Sequence, residues 1–143
     1  MSLDLFVFAI SRDGQLCRFP RAIVESAFAP YVQDVKHDYW HLHLGSGEET
    51  SATMLVKDEE LIDRFSINRP PGYEGFPEFW DSLYEVLRQT CAICILLGVR
   101  ADPNCCVANP QVLDELPEKF VENWGRAVCS VASGAELEMA LWS

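Results

Sequence analysis

The stretch from Ser66 to Val99, SINRPPGYEGFPEFWDSLYEVLRQTCAICILLGV, limits most tightly what this chain can fold into. Phe76, Phe79, Trp80, Leu83, Tyr84 and Leu87 recur at three- and four-residue steps, drawing one wide apolar stripe along a helix. Pro77 suits the first turn of that helix, where a missing N–H costs nothing. Glu78 and Asp81 near its start and Arg88 near its end complement the helix dipole. From Cys91 the period disappears, and Cys91-Ala92-Ile93-Cys94-Ile95-Leu96-Leu97 runs unbroken and apolar to Gly98. So short a run reads as a central strand covered on both faces. The helix must bury three large aromatics, and the sheet holding this strand is the surface for them; Trp80, Leu83 and Leu87 are expected there.

Upstream, Leu3 to Ile10 is β-rich and apolar, and Ser11-Arg12-Asp13-Gly14 supplies a turn. Pro20 opens a short helix, Arg21 to Phe28, which Pro30 stops. Tyr31 to Lys36, Tyr39 to Leu44 and Thr50 to Val56 read as strands, with a hairpin loop at residues 45–49. Downstream, Cys105 to Ala108 and Ala127 to Val131 are strand candidates. Gln111 to Leu116 and Glu118 to Trp124 are helical, with Phe120, Val121 and Trp124 inward. Ser133 caps a last helix, Ala135 to Trp142, with Glu136 as its capping-box partner. Hairpin-like strands with interspersed helices indicate a single α+β domain over residues 1–143. Its sheet is expected to be mainly antiparallel, with the long amphipathic helix (about 76–89) and shorter helices packed on it.

Apolar residues make up 49% of the chain, too many for a disordered one. No run reaches the eighteen or so apolar residues of a membrane span, and the first residues lack a basic signal region. These features predict a soluble, cytoplasmic protein. Its six cysteines fit reduced thiols, because Cys91, Cys94, Cys105 and Cys106 lie in apolar segments where a thiol behaves as a small hydrophobe.

Charge is the strongest compositional signal, at a net −11. Residues 1–44 carry five acids against four bases, residues 45–100 ten against five, and residues 101–143 seven against two. An acidic surface repels nucleic acid and anionic lipid, keeps a protein soluble, and attracts basic partners. Asp114, Glu115, Glu118 and Glu122, opposed by Lys119 alone, form an acidic group, and the spacing of Glu118 and Glu122 puts both on one helix face. This group is either a solvated face or a docking face. Arg69-Pro70-Pro71-Gly72-Tyr73 is an extended, stiff loop that either presents Arg69 and Tyr73 to a partner or aims the main helix onto the sheet.

Candidate chemistry is sparse. Cys91-x-x-Cys94 has knuckle spacing, but it sits inside an apolar run without knuckle glycines, and strand residues three apart point to opposite faces. His41-x-His43 share a strand face near His37 and Asp38 and can chelate, yet no third ligand is evident. No nucleophile elbow, phosphate-binding glycine loop or paired-histidine helix motif occurs. An enzyme, a cofactor and a bound metal are therefore not expected.

A small, acidic single domain of this kind resembles the bacterial immunity proteins of polymorphic-toxin and type VI secretion systems. Leu5-Phe6-Val7-Phe8, Asp13-Gly14, Phe19-Pro20-Arg21 and the block from Asn68-Arg69-Pro70-Pro71-Gly72 to Phe79-Trp80-Asp81-Ser82-Leu83 are similar in style to bacterial proteins of this size. The resemblance covers most of the chain and assigns no residue role by position. It implies a stoichiometric inhibitor that binds a cognate, basic toxin through an acidic surface. The alternatives are a general interaction or adaptor domain and a small enzyme with an unrecognised site.

Overall fold

The computed structural model describes residues 3–10, 17–36, 38–43, 51–71, 76–98, 104–116 and 128–142. Its strands are β1 (Asp4–Ala9), β2 (Phe19–Pro20), β3 (Val32–Lys36), β4 (Tyr39–His43), β5 (Ser51–Val56), β6 (Leu61–Ile62), β7 (Arg64–Asn68), β8 (Ala92–Leu97), β9 (Cys105–Val107) and β10 (Cys129–Ser130). Its helices are α1 (Arg21–Phe28), α2 (Pro77–Gln89), α3 (Gln111–Glu115) and α4 (Gly134–Trp142). The turn at residues 11–14, the hairpin loop at 45–49 and the helix expected at 118–124 lie outside the described residues.

The fold is α+β, as the alternating elements require. Eight strands form one sheet in the order β10-β9-β8-β1-β7-β5-β4-β3, and β2 pairs with β6 separately. Every pairing is antiparallel except β9 with β10. β1 lies inside the sheet, with Asp4 opposite Asn68 of β7 on one side and Leu97 of β8 on the other.

Helices α1, α2 and α4 cover one face. Val24 and Phe28 of α1, Phe79, Trp80 and Leu83 of α2, and Leu137 and Leu141 of α4 share one buried cluster with Leu5, Val7, Met54 and Leu96 of the sheet. On the opposite face, Val112 of α3 and the adjoining Leu116 pack on Ile93, Ile95, Cys105 and Val107. β8 is therefore buried on both faces, as its unbroken apolar run implies.

Pro77 is the first residue of α2, and Trp80, Leu83 and Leu87 are fully buried. The stripe differs from the sequence reading at three places. Val86 is fully buried, Tyr84 is only half-buried, and Phe76 is half-buried at the cap position before the helix. α2 is flanked by α1 and α4 as well as resting on the sheet, so its buried arc is wider than one stripe. Phe79 links the helices through its ring, 5.7 Å from Phe28 and 5.2 Å from Trp80.

Ser133 caps α4 as expected, while Glu136 reaches back one residue beyond the cap, to Ala132, instead of closing a reciprocal capping box. The Glu136 N–H donates to Ser133 Oγ at 3.1 Å, and Glu136 Oε2 accepts from the Ala132 N–H at 2.9 Å. Gly134 follows directly and lies against α2. A Cβ at this position would meet Asp81 N and the Trp80 carbonyl carbon at 2.7 Å each.

Candidate functional site: the open face of the sheet

Side chains alternate across each strand, so the residues that do not face the helices face the other way. In β1, Leu5 and Val7 are buried under the helices while Phe6 is 37% exposed. Leu55 of β5 is 53% exposed beside Tyr39 of β4, its register partner. Ser66 stands between Phe6 and Leu55, and Ile95 of β8 is the other neighbour of Phe6. One row across five strands thus reads Ile95, Phe6, Ser66, Leu55 and Tyr39, apolar but for one hydroxyl and the tyrosine tip. Phe8 and Leu97 widen it into a groove of about 540 Å³. α3 covers only the end of this face over β8 and β9, and among the described residues no helix lies over the rest.

Charge is distributed unevenly around the groove. Lys57, Arg64 and Asp38 line it where β5 and β7 meet. Arg64 leans toward Asp63 at 3.3 Å, a surface pair that holds the Asp63 carboxyl below the usual range mainly through that hydrogen bond. Asp114 and Glu115 are exposed on α3, which packs on Ile95, a residue that also lines the groove. Neither carboxylate is among the residues that line the groove; Glu115 lies instead by Arg18, Gln89 and Cys91, just before β8. Glu118 and Glu122 lie outside the described residues, as does Tyr73.

Arg69 is exposed and its backbone is left-handed, with φ 58°. Its N–H donates to the Leu3 carbonyl at 3.0 Å, Pro70 is buried, and the Pro71 carbonyl accepts the Trp80 indole N–H at 2.9 Å. This start of the proline loop is thus tied to both the sheet and α2. It acts as a stiff connector, whatever the Arg69 side chain does beyond it.

His41 and His43 are half-buried, on the opposite side of β4 from the buried Trp40 and Leu42, as alternation requires. Among the described residues, no three His, Cys, Asp or Glu side chains are placed to hold a metal ion. Cys94, Cys106 and Cys129 stand in register across three strands, and Cys91 hydrogen-bonds with Cys17. All six thiols are free.

Burial pushes the Cys91 thiol up to about 11 and Cys105 to about 12, with neighbouring thiols adding to each, and raises Cys94 and Cys106 as well. An unfolded thiol ionises near about pH 8.5, and below that both states keep the proton. Above it the unfolded chain loses protons that the folded chain retains, so stability must fall as pH rises toward the folded values. From neutral pH upward the urea midpoint should therefore be flat to about pH 8.5 and decline beyond it. The double variant Cys94→Ala, Cys106→Ala should decline less steeply; an identical slope would show that these thiols ionise freely in the folded protein.

The open face has a weak trace in the sequence. Leu5 to Ile10 is apolar throughout and resembles a strand buried on both sides, which masks the outward position of Phe6. Leu55, an apolar residue between the buried Met54 and Val56, is the clearer sign of an uncovered surface. No protein-family model matches the chain, and no curated protein or solved structure is significantly similar to it.

Proposed function

We propose that the protein is a stoichiometric inhibitor of the bacterial immunity type, which binds and neutralises a cognate toxin and needs no cofactor to do so. The observation that carries this reading is the row of Phe6, Leu55 and Tyr39 on the sheet face opposite α1, α2 and α4. Exposed apolar patches rimmed by polar groups mark interaction sites. A few such anchors supply most of the affinity of an interface, while surrounding charges set encounter rate and partner choice. The net −11 over the chain, to which the exposed Asp114 and Glu115 of α3 contribute, favours a basic partner. A toxin that acts on nucleic acid has a basic substrate site, which carboxylates can occupy in place of phosphates.

The test is co-expression with the product of the neighbouring gene, which this reading expects to be the toxin. Wild type should restore growth and bind one to one, with association slowing as salt rises, because screening shortens steering to about 8 Å at physiological ionic strength. Leu55→Glu is expected to abolish protection while leaving the urea midpoint unchanged, since Leu55 is already half in water. Asp114→Lys with Glu115→Lys should lower the association rate. Full protection by Leu55→Glu would remove the open face from the interface, and a neighbouring gene product that is neither toxic nor bound would overturn the inhibitor reading itself.

A further inference from the structure

The six thiols are not equivalent. Cys94, Cys105 and Cys106 are fully buried, whereas Cys17, Cys91 and Cys129 are half-buried. Among the described residues two pairs are in side-chain hydrogen-bond contact, Cys17 with Cys91 and Cys106 with Cys129. Only in the first pair are both members partly open to solvent. Cys17 lies just ahead of β2, and Cys91 lies between the end of α2 and the start of β8. Both pack against the main buried cluster.

A polar cleft of about 320 Å³ leads to this pair. Cys91 lines it, together with Arg18, the chain neighbour of Cys17, and with Gln89, Asn109, Gln111 and Glu115. Arg18 and Glu115 are exposed, and among the described residues neither is in an ion pair. One cleft therefore presents a cation, an anion, amides and a thiol. It shares no lining residue with the open groove.

We propose that Cys17 and Cys91 form a reversible disulfide, and that the cleft admits the oxidant, a small zwitterionic amino-acid disulfide. Arg18 pairs with the carboxylate and Glu115 with the ammonium that flank one sulfur of the oxidant, which brings that sulfur to Cys91. The Cys91 thiolate attacks it, a mixed disulfide forms, and half of the oxidant leaves as a thiol carrying the proton that Cys91 gave up. Cys17 then attacks the Cys91 sulfur. The mixed disulfide breaks, and the second half leaves as a thiol with the proton from Cys17. Two protein thiols are oxidised, and one small disulfide is reduced to two thiols. The protein disulfide needs its sulfurs about 2.05 Å apart, and thiols already in hydrogen-bond contact need only a short approach to reach that. Burial, with Cys17 and Glu115 adding to it, holds the Cys91 thiol up to about 11. Its thiolate is therefore scarce at neutral pH, and oxidation should gain roughly tenfold per pH unit below that value. This proposal does not rest on the inhibitor reading.

The experiment incubates the intact, reduced protein with cystine or with the uncharged 2-hydroxyethyl disulfide at about pH 8, below the range in which unfolded thiols ionise. Mass mapping after alkylation should find one disulfide, Cys17–Cys91, with the remaining thiols free, and dithiothreitol should reverse it. The oxidised form should unfold at higher urea, because a cross-link between residues 17 and 91 constrains the unfolded chain. Cys17→Ser should stop after the first step, with one cysteine held on Cys91. Arg18→Gln with Glu115→Gln should lower the rate with cystine, relative to the rate with 2-hydroxyethyl disulfide, by roughly tenfold. Taking the ratio cancels any change in the reactivity of the thiol itself. The proposal is overturned if no disulfide forms, if it joins a different pair, if Cys17→Ser carries no cysteine on Cys91, or if the double variant keeps the wild-type rate ratio.

Discussion

Trp80→Ala should lower the unfolding free energy by about 3–5 kcal/mol, the range of large aromatic truncations in a packed core. Trp80 is fully buried, stacks edge-on against Phe79 at 5.2 Å, and holds the Pro71 carbonyl through its indole N–H. The truncation therefore opens a cavity and releases the proline connector together. Trp80→Phe separates the two. It keeps most of the apolar area and loses the hydrogen bond, which should cost about 1 kcal/mol for the bond beyond the loss of ring volume. Urea unfolding of both variants is the measurement. A loss under about 1 kcal/mol for the alanine variant would mean that α2 faces the sheet with a different side.

Gly134→Ala is the second large effect, expected at about 3 kcal/mol, the upper end for overpacking. Its Cβ would lie 2.5 Å from Asp81 Oδ1 and 2.7 Å from two backbone atoms of α2. The carboxylate can swing away, but backbone held inside a helix cannot move one atom at a time. Alanine is the better helix former by about 1 kcal/mol, so intrinsic propensity favours the variant and packing opposes it. A neutral or stabilising result would show slack between α2 and α4. Gly134→Ser should be at least as damaging, since it adds an oxygen to the same clash.

Features set by neighbours three or four residues apart were legible in the sequence. Pro77, the spacing of Phe79, Trp80, Leu83 and Leu87, and the Ser133–Glu136 cap all specify local structure directly. The alternation of Trp40 and Leu42 against His41 and His43 likewise follows from backbone geometry. What no local pattern carries is who pairs with whom. Nothing near Asp4 indicates that Asn68 and Leu97 will flank it, or that β10 will run parallel to β9. The close approach at Gly134 was equally hidden, because a glycine at a helix start also reads as an ordinary turn. For the site, net acidity pointed to Asp114 and Glu115 on α3, but it could not reveal the apolar row on the open face. That row is assembled from single residues on five strands, each unremarkable in its own segment.

The interior position of β1 also bears on the order in which the protein can be built. Its register partners in β7 come 56 to 64 residues later in the chain, from Phe8 to Arg64 and from Asp4 to Asn68. Those in β8 come 83 to 93 residues later, from Ala9 to Ala92 and from Asp4 to Leu97. At roughly 5–20 residues per second of synthesis, β1 waits about 4–19 s for its second neighbour. Through that interval its apolar run from Leu5 to Ala9 has at least one unpaired edge and no completed helix layer over it. Closing so distant a contact is slow in itself. A nascent chain of this design is therefore most exposed to misassociation before residue 97 is made, and a chaperone that shields Leu5 to Ala9 would act during that window.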